Sequence, residues 1–168
     1  EGEVAENTEG TMNLEVADGG TLDTVNATGV SSISFLGDAT LIEGNYTAEN
    51  LDLGNNELFV EGAITTSSTT KITASAIKGS NGADLHDVQL NRSMTIENTS
   101  AGAVIVLSGS TITIPDNTSV TVTSIKNDNN AGSNVTVSVI GTLEGEVAEN
   151  TEGTMNLEVA DGGTLDTV

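Results

Sequence analysis

LDLGNNELFVEG, residues 51–62, carries two short apolar alternations, Leu51 with Leu53 and Leu58 with Val60, on either side of the cluster Gly54-Asn55-Asn56. A period of two places successive side chains on opposite faces of an extended strand, and Gly and Asn tolerate the positive φ of a tight turn. The stretch reads strand, turn, strand.

The same unit recurs in both directions. Alternations stand at Met12-Leu14-Val16, from Val30 to Phe35, and at Met94-Ile96, Ile112-Ile114, Val120-Val122 and Val135-Val137-Val139, with turn clusters at 18–20, 79–84 and 127–134. Helical periodicity is nearly absent, so the chain is predicted to be all-β. That spacing suits β-sandwiches and β-solenoids alike, and composition has to choose between them. There is one Tyr, two Phe and no Trp. A sandwich about 10 Å between sheets recruits aromatic rings to fill its centre, whereas a narrow solenoid coil is filled by Val, Ile, Leu, Ala and Met stacking on their equivalents one coil away. The expectation is a parallel β-solenoid (β-helix). A β-sandwich completed by a donor strand is the alternative.

The ends carry the second signal. EGEVAENTEGTMNLEVADGGTLDTV occupies residues 1–25 and returns letter for letter at 144–168. Two unrelated stretches do not coincide over such a length, and the return at Glu144 defines a unit that runs over positions 1–143. The expected organisation is one solenoid unit over 1–143, then the first coil of an identical unit over 144–168. With three strands and their turns in about 24 residues, the unit would hold about six coils and advance roughly 29 Å. The copied strand, Met12, Leu14 and Val16 in the first copy and Met155, Leu157 and Val159 in the second, is the predicted assembly strand.

Charge narrows the partners. Against 25 Asp+Glu stand 4 Lys+Arg, a formal charge of -21. Seven of the acids lie in the second copy, so one unit carries 18 acids and a net charge of -14. Such a surface repels phosphate backbones and anionic headgroups, which argues against nucleic acid as a partner. No apolar run is long enough to insert in a membrane. Without cysteine there is no disulfide framework and no thiolate metal site.

Several clusters invite a chemical reading. Glu1, Glu3, Glu6 and Glu9, repeated at Glu144, Glu146, Glu149 and Glu152, gather carboxylates that could bridge units through Ca²⁺; Glu3, Glu6 and Asp128 are the calcium candidates. The spacing is not that of an EF-hand, and a solvated acidic face explains it as well. In KNDNNAGSN (126–134) the same side chains suit a long turn. DLHD brings the single histidine, His86, between Asp84 and Asp87, but no nucleophile motif or cationic clamp accompanies it. In a strand, Asp84 and His86 would share a face that Asp87 does not. No enzyme is expected. Six sequons begin at Asn26, Asn45, Asn91, Asn98, Asn117 and Asn134, against about four expected by chance in so Asn-, Ser- and Thr-rich a chain.

LDLGNNELFVEG (51–62), TLIEGNYTAENLDL (40–53) and SGSTITIPDNTSVTVTS (108–124) resemble the low-aromatic, Asn/Thr/Gly-rich coils of parallel β-helix surface proteins, including filamentous-haemagglutinin-like adhesins and autotransporter passengers. The resemblance implies an extracellular or cell-surface rod without catalytic machinery, its partners being identical repeat units and, as an adhesin, glycans or a host surface. A pilus-like subunit polymerising by donor-strand exchange and a glycan-binding surface module are the competing expectations.

Overall fold

The computed structural model describes residues 2–4, 11–28 and 30–166. They form a parallel β-solenoid of about eight turns with no helix. Every strand pairing is parallel, and each coil rests on the one before it. The expected fold holds, and the sandwich alternative does not: no antiparallel sheets face each other among the described residues.

Three ladders run along the axis. Ladder A stacks Asn13–Val16, Ser32–Phe35, Asn50–Asp52, Lys71–Thr73 and Val88–Leu90, then 103–106, 124–127 and 146–148. Ladder B stacks 21–23, 39–42, 57–61 and 76–80, then Met94–Glu97, Thr111–Ile114, Asn134–Val139 and Thr154–Val159. Ladder C begins at Gly2–Glu3 and climbs through 25–26, 44–45, 63–65, Asp84, 99–101, 119–122 and 142–144 to Thr164–Asp166.

Three strands per coil match the expectation; the chain forms about eight coils, where six were expected in the unit and one more in the copy. The coils are shorter because one corner of a coil needs no loop. Ser32 already pairs with Asn50, and Ala39 with Leu58. At Gly44 (φ 113°) and Gly62 (φ 67°) the chain turns from one ladder to the next through a positive φ, a bend that glycine makes at little steric cost. At Gly44 the backbone also lies so close to the coil beneath that a Cβ would sit 2.6 Å from the Val25 carbonyl oxygen.

Inside, each inward position repeats up its ladder. On A the column is Leu14, Ile33, Leu51, Ile72, Leu90, Val106 and Asn127. On B, Leu58, Ile77 and Ile96 continue a column that starts at Ala39. Most of these side chains are fully buried. At about 25 cal/mol per Å² of apolar surface, burying one such side chain contributes about 2 kcal/mol, and that gain accrues coil by coil. Two rings join the aliphatic interior. Phe35 lies on ladder A, and Tyr46 fills the corner between C and A with no exposed surface. Its hydroxyl donates to the carbonyls of Glu43 (2.9 Å) and of Leu22 one coil away (3.1 Å). Burial pushes the Tyr46 phenol up to about 12.

Candidate functional site: the unit junction

The junction is where sequence found once, up to residue 143, meets the copied segment from 144. Asn127 sits at the top of the inward column of ladder A, directly above Val106, and is fully buried. A polar side chain there needs partners, and it finds them in the next coil. Its Nδ2 donates to the Glu152 carbonyl (2.7 Å) and to its own neighbour's carbonyl at Asp128 (2.9 Å). Its Oδ1 accepts from the Asn150 N–H (2.8 Å), while the Asn150 side-chain amide donates to the Asn127 carbonyl. Beside it, the Asn129 Oδ1 accepts from the Glu152 N–H at 3.0 Å. Gly153 (φ 95°) passes so near that a Cβ would meet Asn127 Nδ2 at 2.3 Å.

The loop 128–133 presents these asparagines. Ser133 donates through its hydroxyl to one carboxylate oxygen of Asp128, and the Asn130 side-chain amide donates to the other at 2.6 Å. Asp128 thus organises a turn, the use that competes with a calcium ligand. Among the described residues, no three His, Cys, Asp or Glu side chains gather closely enough to hold a metal ion. Glu3 is exposed on the opening strand, and Glu6 lies outside the described residues. In the second copy Glu149 accepts from the Met155 N–H (3.2 Å), and Glu146 faces Lys126 at 3.8 Å.

Above the loop the copied strand docks in full register. Every residue from Thr154 to Val159 pairs with its counterpart from Asn134 to Val139, which sets Met155 on Val135, Leu157 on Val137 and Val159 on Val139. Thr154 N–H donates to the Ser133 carbonyl (2.7 Å), and the Asn156 side-chain amide donates to Asn134 Oδ1 (2.8 Å). Farther on, Thr164 to Asp166 pair with Thr142 to Glu144.

Leu14, Val16, Met155, Leu157 and Val159 therefore stack in register on the neighbouring coil, whereas Met12 precedes the paired strand and is exposed; each copy is covered on one side. In the first copy, Leu14 and Val16 lie under Ile33 and Phe35, and Val16 is 7% exposed. In the second, Val159 rests on Val139 and is 46% exposed. Of the five large hydrophobic side chains exposed among the described residues, Met12, Leu157, Val159 and Leu165 belong to the two copies, and Leu36 is the exception.

DLHD proves to be a corner. The strand Ala76–Asp84 takes in residues 79–84, read from the sequence as a turn cluster, and ends at Asp84, after which His86 (φ 53°) turns the chain toward ladder A. Asp84 Oδ1 accepts from the His86 N–H (3.0 Å), and Asp87 Oδ1 accepts from the Ala103 N–H (2.8 Å), so both carboxylates brace backbone. They line an open cleft of about 400 Å³ with Thr66, Ser100 and Thr121. Of the sequon asparagines, all but Asn45 are exposed.

Asn127 was legible in the sequence only as a turn residue. Its inward position follows from the ladder register, which local alternation does not reveal. Comparison with protein-family models, curated proteins and solved structures finds no match for this chain.

Proposed function

We propose that this chain is a structural repeat of an extracellular fibre or adhesin stalk, in which units of positions 1–143 join end to end by strand-edge pairing. The observation that carries the reading is the complementary burial of one identical strand. The first copy is covered by the coil after it and the second by the coil before it; an array would cover both sides of each. Main-chain pairing supplies the affinity, and the Met, Leu and Val column supplies the register. The acidic exterior keeps such rods apart from one another. The experiment is a tandem gene of three 1–143 units viewed by electron microscopy. Rods that lengthen by about 35 Å per unit, at about 4.8 Å per coil, support the proposal. Discrete globules strung on flexible connections overturn it.

A glycan-binding surface module is the second reading, favoured by the hydroxyl-lined cleft beside His86. Saturable glycan binding by a single unit, lost in Ser100→Ala with Thr121→Ala, would support it.

A further inference from the structure

The two copies of the repeated segment lie on different faces. In the first, Asn13–Val16 is on ladder A, under Ser32–Phe35, and 21–23 follows on ladder B. In the second, the matching strand Thr154–Val159 is on ladder B, above Asn134–Val139, and Thr164–Asp166 follows on ladder C. The turn between the strands is the same in both: Gly20 N–H donates to the Ala17 carbonyl (2.8 Å), and Gly163 N–H to the Ala160 carbonyl (2.9 Å). An identical element, with the same residues inward, has moved one face around the axis.

The corners between the ends show how. In the early coils the chain passes from ladder B to ladder C within one continuous strand, through Thr24 in Thr21–Asn26, Glu43 and Gly44 in Ala39–Asn45, and Gly62 in Glu57–Thr65. In the late coils the continuous strand instead joins ladder C to ladder A. Thr99–Val106, Ser119–Asn127 and Thr142–Ala148 all run through that corner, and the register skips Gly102, Thr123 and Gly145 there. The handover is at Thr99–Val106, which pairs with Asp84 through Ser100 and with Val88–Leu90 through 104–106. The coil closes soonest there, with Val88 already paired to Val104. The sharp corner has moved by one position, as the repeated segment has.

We infer that each unit spans seven coils and one further face, so that successive units join with a rotation of about one third of a turn about the fibre axis. This rests on the end-to-end reading above and specifies its docking surface: the opening strand of the next unit seats on the ladder B edge at Val135, Val137 and Val139. Three units in succession restore the starting face. A feature present once per unit, such as the Asp84–His86 corner, is then displayed on all three sides of the rod in rotation. Neighbouring copies point apart, and binding from any direction meets one copy in three.

Two measurements test this. In the full chain, which has no native cysteine, Thr136→Cys with Asn156→Cys places two spin labels on outward neighbours of ladder B, about 5 Å apart across the ladder. Strong spin exchange is expected; its absence overturns the assigned face. In a four-unit tandem rod, a cryo-electron reconstruction should find the opening strand on ladders A, B and C in turn, returning to A in the fourth unit. Rods with the opening strand on one face throughout would overturn the rotation while sparing the end-to-end reading. A chain that forms no rod would sink both.

Discussion

Replacing Asn127 by alanine should loosen the closing coil and little else. The substitution removes the acceptor of the Asn150 N–H and the donor to the Glu152 carbonyl, at 2.8 and 2.7 Å, from a side chain with no exposed surface. A net hydrogen bond is worth about 1 kcal/mol, and a partner left buried and unsatisfied costs about 1–3 kcal/mol. Asn150 is half-buried and water reaches part of the loss, so the closing coil should lose about 2–4 kcal/mol. Solenoid stability is a sum of neighbour terms, so the loss stays near the end where it is made. Hydrogen exchange at the Thr154–Val159 amides should speed up by about 30- to 700-fold, at tenfold per 1.4 kcal/mol. Amides around Ile33 and Leu51 should be unchanged. Asn127→Leu separates the clamp from the column: it rebuilds the apolar stack over Val106 but still strands Asn150 and Glu152, and should also expose the strand. Protection of Thr154–Val159 within threefold of the parent in both variants would refute the clamp.

The other predictions concern the corners and the core. Gly145→Ala puts a Cβ 2.0 Å from the Val122 carbonyl oxygen at φ 126° and should cost more than about 2 kcal/mol, whereas Gly19→Ala, with nothing within 4 Å at φ 70°, should cost about 1 kcal/mol; urea titration of the two variants checks the contrast. Leu51→Ala, fully buried between Ile33 and Ile72, should lower unfolding free energy by about 2–5 kcal/mol in the same assay. The Tyr46 phenol, at about 12 in the folded chain against 10.0 unperturbed, binds its proton more tightly when folded. Its contribution to stability is therefore constant below pH 10 and is lost as pH rises from 10 to 12, by about 3 kcal/mol in all. Tyr46→Phe should remove that alkaline slope, and should cost about 1 kcal/mol at pH 7 for the two carbonyls left without their donor.

Much of this architecture is local in origin. Leu51, Leu53, Leu58 and Val60 alternate around Gly54-Asn55-Asn56 and do form a strand, a turn and a strand with those four side chains buried. DLHD forms a corner because the Asp84 carboxylate bonds the backbone two residues on, a preference that competes with strand pairing. The junction was half legible. The copied strand announced itself by its letter-for-letter return, and Leu14, Val16, Leu157 and Val159 stack in register on the neighbouring coil. The asparagine that holds it did not, since Asn127 is polar at a position where six apolar side chains precede it in the column.

By itself the sequence determined which apolar side chains of the alternating strands turn inward and that residues 1–25 return from Glu144, because side-chain alternation and identity are written residue by residue. Only the tertiary structure decided which strand lies on which. That choice depends on the summed lengths of corners lying far apart in the chain, and three similar faces offer one strand three acceptable seats. Near Ser100 the corner without a loop passes from the B–C to the C–A position, and the copied strand lies on ladder B at 154–159 where the first lies on ladder A at 13–16.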